Sequence, residues 1–182
     1  MCSHYEAPLR QLLQSRFPAA SKPGAWDKPD MWPGYAGPFI RRPPEAGAGD
    51  EAVPELQVDI GAFGLVPRWA KDSKKVKATH NARSETVAEK PTFRDAWRKA
   101  QHCIIPTVAI YEPDWRSGKA VPTRVSRIDG DLLGIAGLYE QRPGPDGQVE
   151  FSFTMLTLNA DTHSVFKELH KPDPDLPADK QD

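Results

Sequence analysis

The sequence predicts one mixed domain of short strands with two short helices, and three observations carry that prediction. Nineteen prolines and thirteen glycines in 182 residues interrupt the chain too often for a helical bundle. β-like apolar segments separated by turn signals fill the second half, which therefore reads as largely antiparallel sheet. Apolar residues recur at helical spacing in two stretches, each about ten residues long. With 38% hydrophobic and 9% aromatic residues, the chain can enclose one sizeable core.

Near the start, "APLRQLLQSRF" places Leu9, Leu12, Leu13 and Phe17 on one face, with Pro8 suited to a first turn, and predicts a short amphipathic helix. Residues 18–54 are rich in Pro, Gly and Trp and read as loops around a brief extended piece, "YAGPFIRR"; "PPEAGAGDEAVPE" reads as an exposed turn. "LQVDIGAFGLVP" reads as a strand and "RWAKDSKKVKATHNARSET" as a long basic connection. In "PTFRDAWRKAQ", Phe93, Ala96, Trp97 and Ala100 share a face and Thr92 is the expected N-cap, which predicts a second helix. "HCIIPTVAIYE" comes next as one strand, then "KAVPTRVSRI", "DLLGIAGLYEQR" and "EFSFTMLTLN" as further strands. Their turn signals are "DG" at 129–130 and "PGPDG" at 143–147.

Composition excludes several classes. No apolar run approaches the roughly 18 residues of a membrane span, and the start lacks the basic-then-apolar pattern of a secretory signal, so a cytosolic protein without a membrane partner is expected. Two cysteines about a hundred residues apart make neither a disulfide framework nor a zinc spacing, and Cys103, in an apolar run, reads as buried structure. Gly-rich phosphate-loop spacing is absent. The net charge is −1, yet from Arg68 to Cys103 ten Lys or Arg face four acids, a local balance of +6. Such a stretch suits a phosphate-facing patch or a solvated surface.

Cys2 is the first candidate for chemistry. Removal of Met1 would leave on one residue an α-amine with an ordinary pKa of about 8 and a thiol of about 8.5, two nucleophiles within one five-membered ring of a common carbon. On position alone it could equally be an early residue of no consequence. Asn81 and Arg83 in "HNARSET", Glu112 at the end of "AIYE" and His170 in "FKELHKPDP" complete the set, because polar residues at strand ends converge on pockets. A solvated strand end and a structural histidine are the plainer readings of the last two.

Taken in order, "MC", "GLVPRWAKD", "NARSET", "CIIPTVAIYE", "LTLNAD" and a histidine beyond it resemble the SOS-response-associated peptidase (SRAP) family of abasic-site processing proteins. The resemblance implies an α+β fold: a curved, barrel-like, mainly antiparallel sheet with short flanking helices; a single domain is expected over residues 1–172, and the Pro- and Asp-rich residues 173–182 read as a disordered tail. It implies binding of single-stranded DNA that contains an abasic site, and covalent capture of the sugar aldehyde by Cys2 as a thiazolidine. His170 would protonate the sugar ring oxygen, Glu112 would hold and deprotonate the amine, and Asn81 would fix the cysteine. Arg83 would hold a phosphate, Trp69 and Pro38 would offer stacking surfaces, and Thr157 would line the phosphate or pocket; Trp69 could equally be core packing. No cofactor or metal is implied, and the expected working form is a cytoplasmic monomer that associates with the nucleoid when bound to DNA. Release of Met1 by the same centre, and a lyase activity through the imine, are further expectations.

The chain departs from the family pattern at Ser3 and His4, where many members have Gly-Arg, so that His4 would partly replace a phosphate-binding arginine. Pro38 is an inexact match, and the last twelve residues replace an arginine, a strand and a helix, which implies a sheet lacking its C-terminal strand and helix. Two other classes fit a nucleophilic Cys2 or a basic segment: an N-terminal-nucleophile amidotransferase or hydrolase, and a non-catalytic single-strand-binding module.

Overall fold

The computed structural model describes residues 3–18, 26, 28–46, 53–70, 78–144 and 146–170. In chain order its elements are β1 (His4–Glu6), α1 (Arg10–Arg16), β2 (Asp30–Met31), β3 (Ala36–Arg41), β4 (Gln57–Phe63), β5 (Asn81–Arg83), α2 (Arg94–Arg98), β6 (His102–Thr107), β7 (Ala109–Asp114), β8 (Val121–Val125), β9 (Leu133–Pro143), β10 (Val149–Thr157) and α3 (Phe166–Leu169). Strands β4, β3, β6, β9 and β10 form a sheet that closes on itself where β10 pairs with β4, and β5 adds to β10 outside the closure. A smaller antiparallel sheet has the order β2-β1-β7-β8. The fold is the expected α+β barrel. Its antiparallel ladders are joined by two parallel pairs, β10 with β4 and β10 with β5.

Alternation along the strands builds the core. In β10, Phe153 and Met155 point inward, where Phe39 of β3, Phe63 of β4 and Tyr139 of β9 meet them. Phe153 lies 5.6 Å from both Phe39 and Phe63, centroid to centroid. The smaller sheet adds Tyr5, Met31 and Ile110 to the same cluster, with Tyr5 edge-on to Phe63 at 5.2 Å. At the Arg41 end of β3, that guanidinium covers the Tyr139 and Phe151 rings and is held by Asp59 at 2.6 Å. The helices cover the outside: α1 places Leu13 over Ile40 and Val58, while Phe93 and Ala96 cover Ala82 and Leu138.

Several expectations change. Helix α1 begins only at Arg10, leaving Leu9 exposed outside it. Helix α2 is five residues long; Thr92 does not cap it, and Ala100, at φ 52°, lies beyond its end. Within it only Ala96 is buried, next to Phe93 just before its start, while Trp97 is exposed, because so short a helix turns one position toward the barrel. The single strand expected in "HCIIPTVAIYE" is two. Residues 102–107 pair with β3 and β9, whereas 109–114 pair with β1 and β8, and at the switch the Val108 N–H donates to Glu6 O at 2.8 Å. Strands β1 and β5 lie in segments that read as terminus and loop. The tail at 173–182 and residues 71–77 of the basic connection lie outside the described residues. No described helix is long and apolar enough to cross a membrane.

Gly137 in β9 shows how closely the strands approach. A Cβ there would lie 2.5 Å from Thr154 O, a backbone atom that cannot turn aside. Gly137→Ala should therefore lower stability by about 1–3 kcal/mol in thermal unfolding followed by circular dichroism. Gly134→Ala, whose methyl would meet only Ile104 Cγ2 at 3.2 Å, should cost clearly less. Equal losses would remove the close-approach explanation.

Candidate functional site

Two groups of candidate residues are assembled by different parts of the fold. The first is Glu112 with His170. Glu112 shares a face of β7 with Ile110, which belongs to the core cluster, and is only 5% exposed. His170 follows α3, a four-residue helix whose position is fixed by tertiary contacts rather than by length. Leu169 is buried, its carbonyl accepts the Trp115 N–H at 3.0 Å, and Phe166 packs on the barrel core. His163 Nδ1 accepts the N–H groups of Val165 and Phe166 at 3.1 and 3.2 Å, closing the helix start. The result brings His170 Nε2 within 3.4 Å of Glu112 Oε2, 58 residues away in the chain. A carboxylate and an imidazole at this distance form an acid–base pair able to move a proton between a substrate and the protein.

The second group comes from the parallel pairing of β5 with β10. Asn81 lies opposite Met155, and Arg83 opposite Thr157, so these four share a face while Ala82 and Leu156 point into the α2 cluster. Met155 belongs to the barrel core, and hence Asn81, Arg83 and Thr157 stand on the core side of β10 at the end where it leaves the barrel. Thr157 Oγ1 is buried and has no hydrogen-bond partner among the described residues. A buried hydroxyl in that condition at a strand end suits a ligand oxygen. Just before Asn81, His80 is held below the ordinary 6.5 first by burial and then by the positive charge of the amino terminus.

The "NARSET" stretch also has a structural job that its residues alone did not declare. The Ser84 N–H donates to Thr157 O at 2.9 Å, and Glu85 Oε1 accepts the Asn159 N–H at 2.9 Å, tying the middle of the motif to the end of β10 and the residues just after it. Partial burial acts to raise the Glu85 pKa. The backbone N–H groups of Glu85 and Asn159, the Ser84 hydroxyl and the Arg83 charge outweigh it and hold the carboxyl below its ordinary 4.5.

The remaining candidates separate. Pro38 is buried in the middle of β3, opposite Ile60, so its ring offers no surface to a stacking base, in keeping with the inexact family match of "YAGPFIRR". Trp69 is 61% exposed and belongs to none of the core clusters, with its indole N–H 3.5 Å from Pro91 O. Core packing is thereby excluded for it. His4 is not an open cation: its ring lies between Trp32 and Tyr111, and its Nε2 is 3.0 Å from Asp30 Oδ1. Cys2 lies outside the described residues, two positions before β1. Cys103 is buried in β6, and burial pushes its thiol far above the usual range, so it is no nucleophile. A cavity of about 380 Å³ on another part of the barrel, lined by Ile60, Gly61, Arg142 and Ser152 among others, contains none of the candidates. No described group of three or more His, Cys, Asp or Glu is placed to hold a metal ion.

Because the Glu85 pKa is lowered in the fold, its contribution to stability is present above about 4.5 and fades as pH falls through the folded value. Thermal unfolding of wild type and Glu85→Gln should differ at neutral pH and converge as the pH drops below about 4.5. A constant difference across that window would remove Glu85 as the source.

The profile described as SOS response associated peptidase (SRAP) matches residues 1–176. Among curated proteins, the abasic site processing protein YoqW of Bacillus subtilis is 35% identical over 109 residues, covering 59% of this chain and 47% of that protein. The abasic site processing protein HMCES of Gallus gallus is 27% identical over 120 residues, covering 54% of this chain and 36% of its own length. The aligned segments thus take in less than half of these relatives. A crystal structure of a Bordetella bronchiseptica protein superposes with a TM-score of 0.79 at 46% identity, over 99% of this chain and 80% of the other. The profile match over nearly the whole chain, on a barrel that superposes this closely, shows that the protein belongs to the SRAP family.

Proposed function

We propose that this protein captures abasic sites in single-stranded DNA by a covalent bond through Cys2. The observation that carries the reading is the pairing of half-buried His170 with Glu112, at 3.4 Å, the latter buried on the strand that flanks β1. The register His4↔Tyr111 sets the start of β1 beside Glu112, and two residues of chain can carry position 2 no farther than about 7 Å from the His4 Cα. The relatives named as abasic site processing proteins support the substrate class.

The chemistry derives from the groups. Hydrolysis of the Met1–Cys2 bond frees the α-amine; the same centre performing it would account for the peptidase name. An abasic sugar exists partly as an open-chain aldehyde, and His170 donates a proton to the ring oxygen as the ring opens. Glu112 takes a proton from the ammonium, and the neutral amine adds to C1′. Loss of water from that adduct leaves an imine. The Cys2 sulfur then adds to the imine carbon while the nitrogen takes up a proton, closing a thiazolidine with one water released overall. Asn81 positions the amino-terminal residue, and Arg83 with Thr157 holds a phosphate beside the lesion. Trp69 gives a neighbouring base an exposed indole. An imine intermediate also opens a route to strand cleavage, which places lyase activity within reach of the same site. The biological setting proposed is the DNA-damage response, with one chain as the working unit.

The test is a denaturing gel of the protein with single-stranded DNA carrying one abasic site, beside an undamaged strand. A slow-migrating species is expected only from wild type with the abasic strand, and Cys2→Ala should abolish it. Glu112→Gln and His170→Ala should slow its formation by about 10²- to 10⁴-fold each while leaving undamaged-strand binding intact. Glutamine hydrolysis without the gel species would favour the amidotransferase reading. Binding that is unchanged by Cys2→Ala, with no covalent product, would favour a passive single-strand-binding module.

A further inference from the structure

The outward face of the smaller sheet carries a continuous ring stack. The His4 imidazole lies parallel to the Trp32 indole on one side and to the Tyr111 ring on the other, 4.2 Å between centroids in both cases, with interplanar angles of 9° and 10°. The sequence of β1 and its two neighbours sets this up. Tyr5 and Met31, paired across β1 and β2, turn into the core, so the adjacent His4, Trp32 and Tyr111 turn outward together. Asp30 Oδ1 fixes the imidazole in its plane at 3.0 Å from Nε2.

The stack has one closed end and one open end. Beyond Tyr111 lies Arg124, its register partner in β8, which is bound to Glu6 at 3.1 Å. At the other end Trp32 remains 44% exposed, although one face of its indole is already covered by His4. Trp32 sits in the tight turn between β2 and β3, where the Tyr35 N–H donates to Trp32 O at 2.9 Å. Tyr35 is exposed as well, with Lys28 Nζ 5.2 Å from its ring centre. An open aromatic face, already ordered by two rings behind it and in the same turn as Tyr35, whose ring carries Lys28, fits a flat partner joined to negative charge, with the Asp30 carboxylate engaged by His4. A base on its phosphate chain has that form, and ordering the platform in advance lowers the entropy cost of binding.

We propose that Trp32, backed by His4 and Tyr111, is the stacking platform for one nucleobase of the bound single strand; this rests on the proposed binding of single-stranded DNA. Tyr111 immediately precedes Glu112, and consecutive residues of a strand point to opposite faces about 3.8 Å apart along the backbone. The stack and the Glu112–His170 pair therefore lie on opposite faces of β7, and the platform would engage a part of the strand that runs over the outer face of the smaller sheet. In this protein the residue two places after Cys2 serves the DNA as part of an aromatic pile rather than as a phosphate clamp.

Fluorescence anisotropy with a labelled, undamaged single-stranded oligonucleotide tests the platform, with the covalent gel assay run alongside. Trp32→Ala should weaken binding about 5- to 150-fold, the range for loss of one base–aromatic stack, and Trp32→Phe should recover most of it. On a strand of the same length whose residues are all base-free tetrahydrofuran units, wild type and Trp32→Ala should bind alike, since only phosphate contacts remain. A folded Trp32→Ala protein that binds the normal strand as tightly as wild type overturns the platform and leaves covalent capture standing. An equal loss on the base-free strand also overturns it, because the effect would then be structural. Wild type that neither binds the strand nor forms the covalent species overturns both readings.

Discussion

A parallel pair only two residues long, Ala62 with Ser152 and Phe63 with Phe153, closes the barrel, and the placement of both the core and the candidate site depends on it. Without that seam β10 would be the inner strand of an open sheet. With it, β10 is clamped between β9 and β4 for the first part of its length and pairs with β5 for the last, so one strand serves both the core and the candidate site. The seam is possible because its backbone surroundings are thin. A Cβ on Gly61 would lie 3.0 Å from the Phe151 carbonyl carbon, and Phe63 and Phe153 stack across the closure at 5.6 Å. A few hydrogen bonds at roughly 1 kcal/mol each would not hold a barrel shut alone. The buried aromatic contacts beneath them supply the rest.

The same economy explains how a chain of short elements places its candidate catalytic groups. No described helix exceeds seven residues, so none is stable by itself, and each is positioned by what it buries. Helix α3 is the clearest case. Four residues long, it is held by Leu169, Phe166 and the Trp115–Leu169 hydrogen bond, and it delivers His170 to Glu112. Glu112 is buried because β7 turns its side chain toward the core beside Ile110, yet it lies near the end of the strand. A carboxylate so placed is shielded from bulk water, the condition under which electrostatic interactions with a proton-transfer partner are strengthened.

The break at Val108 has a comparable effect. One apolar run feeds two sheets: Ile105 lies in the barrel interior, while Ile110 and Glu112 belong to a sheet laid against it. That division brings β1 beside β7 and sets Tyr111 and Glu112 back to back. The outer residue joins the ring stack with His4 and Trp32, and the inner one joins the acid–base pair. Stack and pair are consequences of one strand, and a substitution that shifted its register by a residue would exchange their faces.

What the sequence determined by itself was the local chemistry and most local conformations. The alternation in "EFSFTMLTLN", the turn glycines at 130 and 147, the family motif at 81–86 and the unusual standing of a cysteine at position 2 depend on residues close together in the chain. The tertiary structure decided everything that depends on partners far away in sequence. Three residues at 81–83 become a strand only because β10 offers an edge to pair with, and a run read as one strand becomes two because β3 and β9 compete with β1 and β8 for its backbone. Pro38 reads as a surface until its strand is enclosed, and His4 reads as a cation until Trp32, 28 residues on, covers one side of its ring and Tyr111 the other. Periodicity encodes which face of an element is apolar, but not which of several apolar faces will cover it.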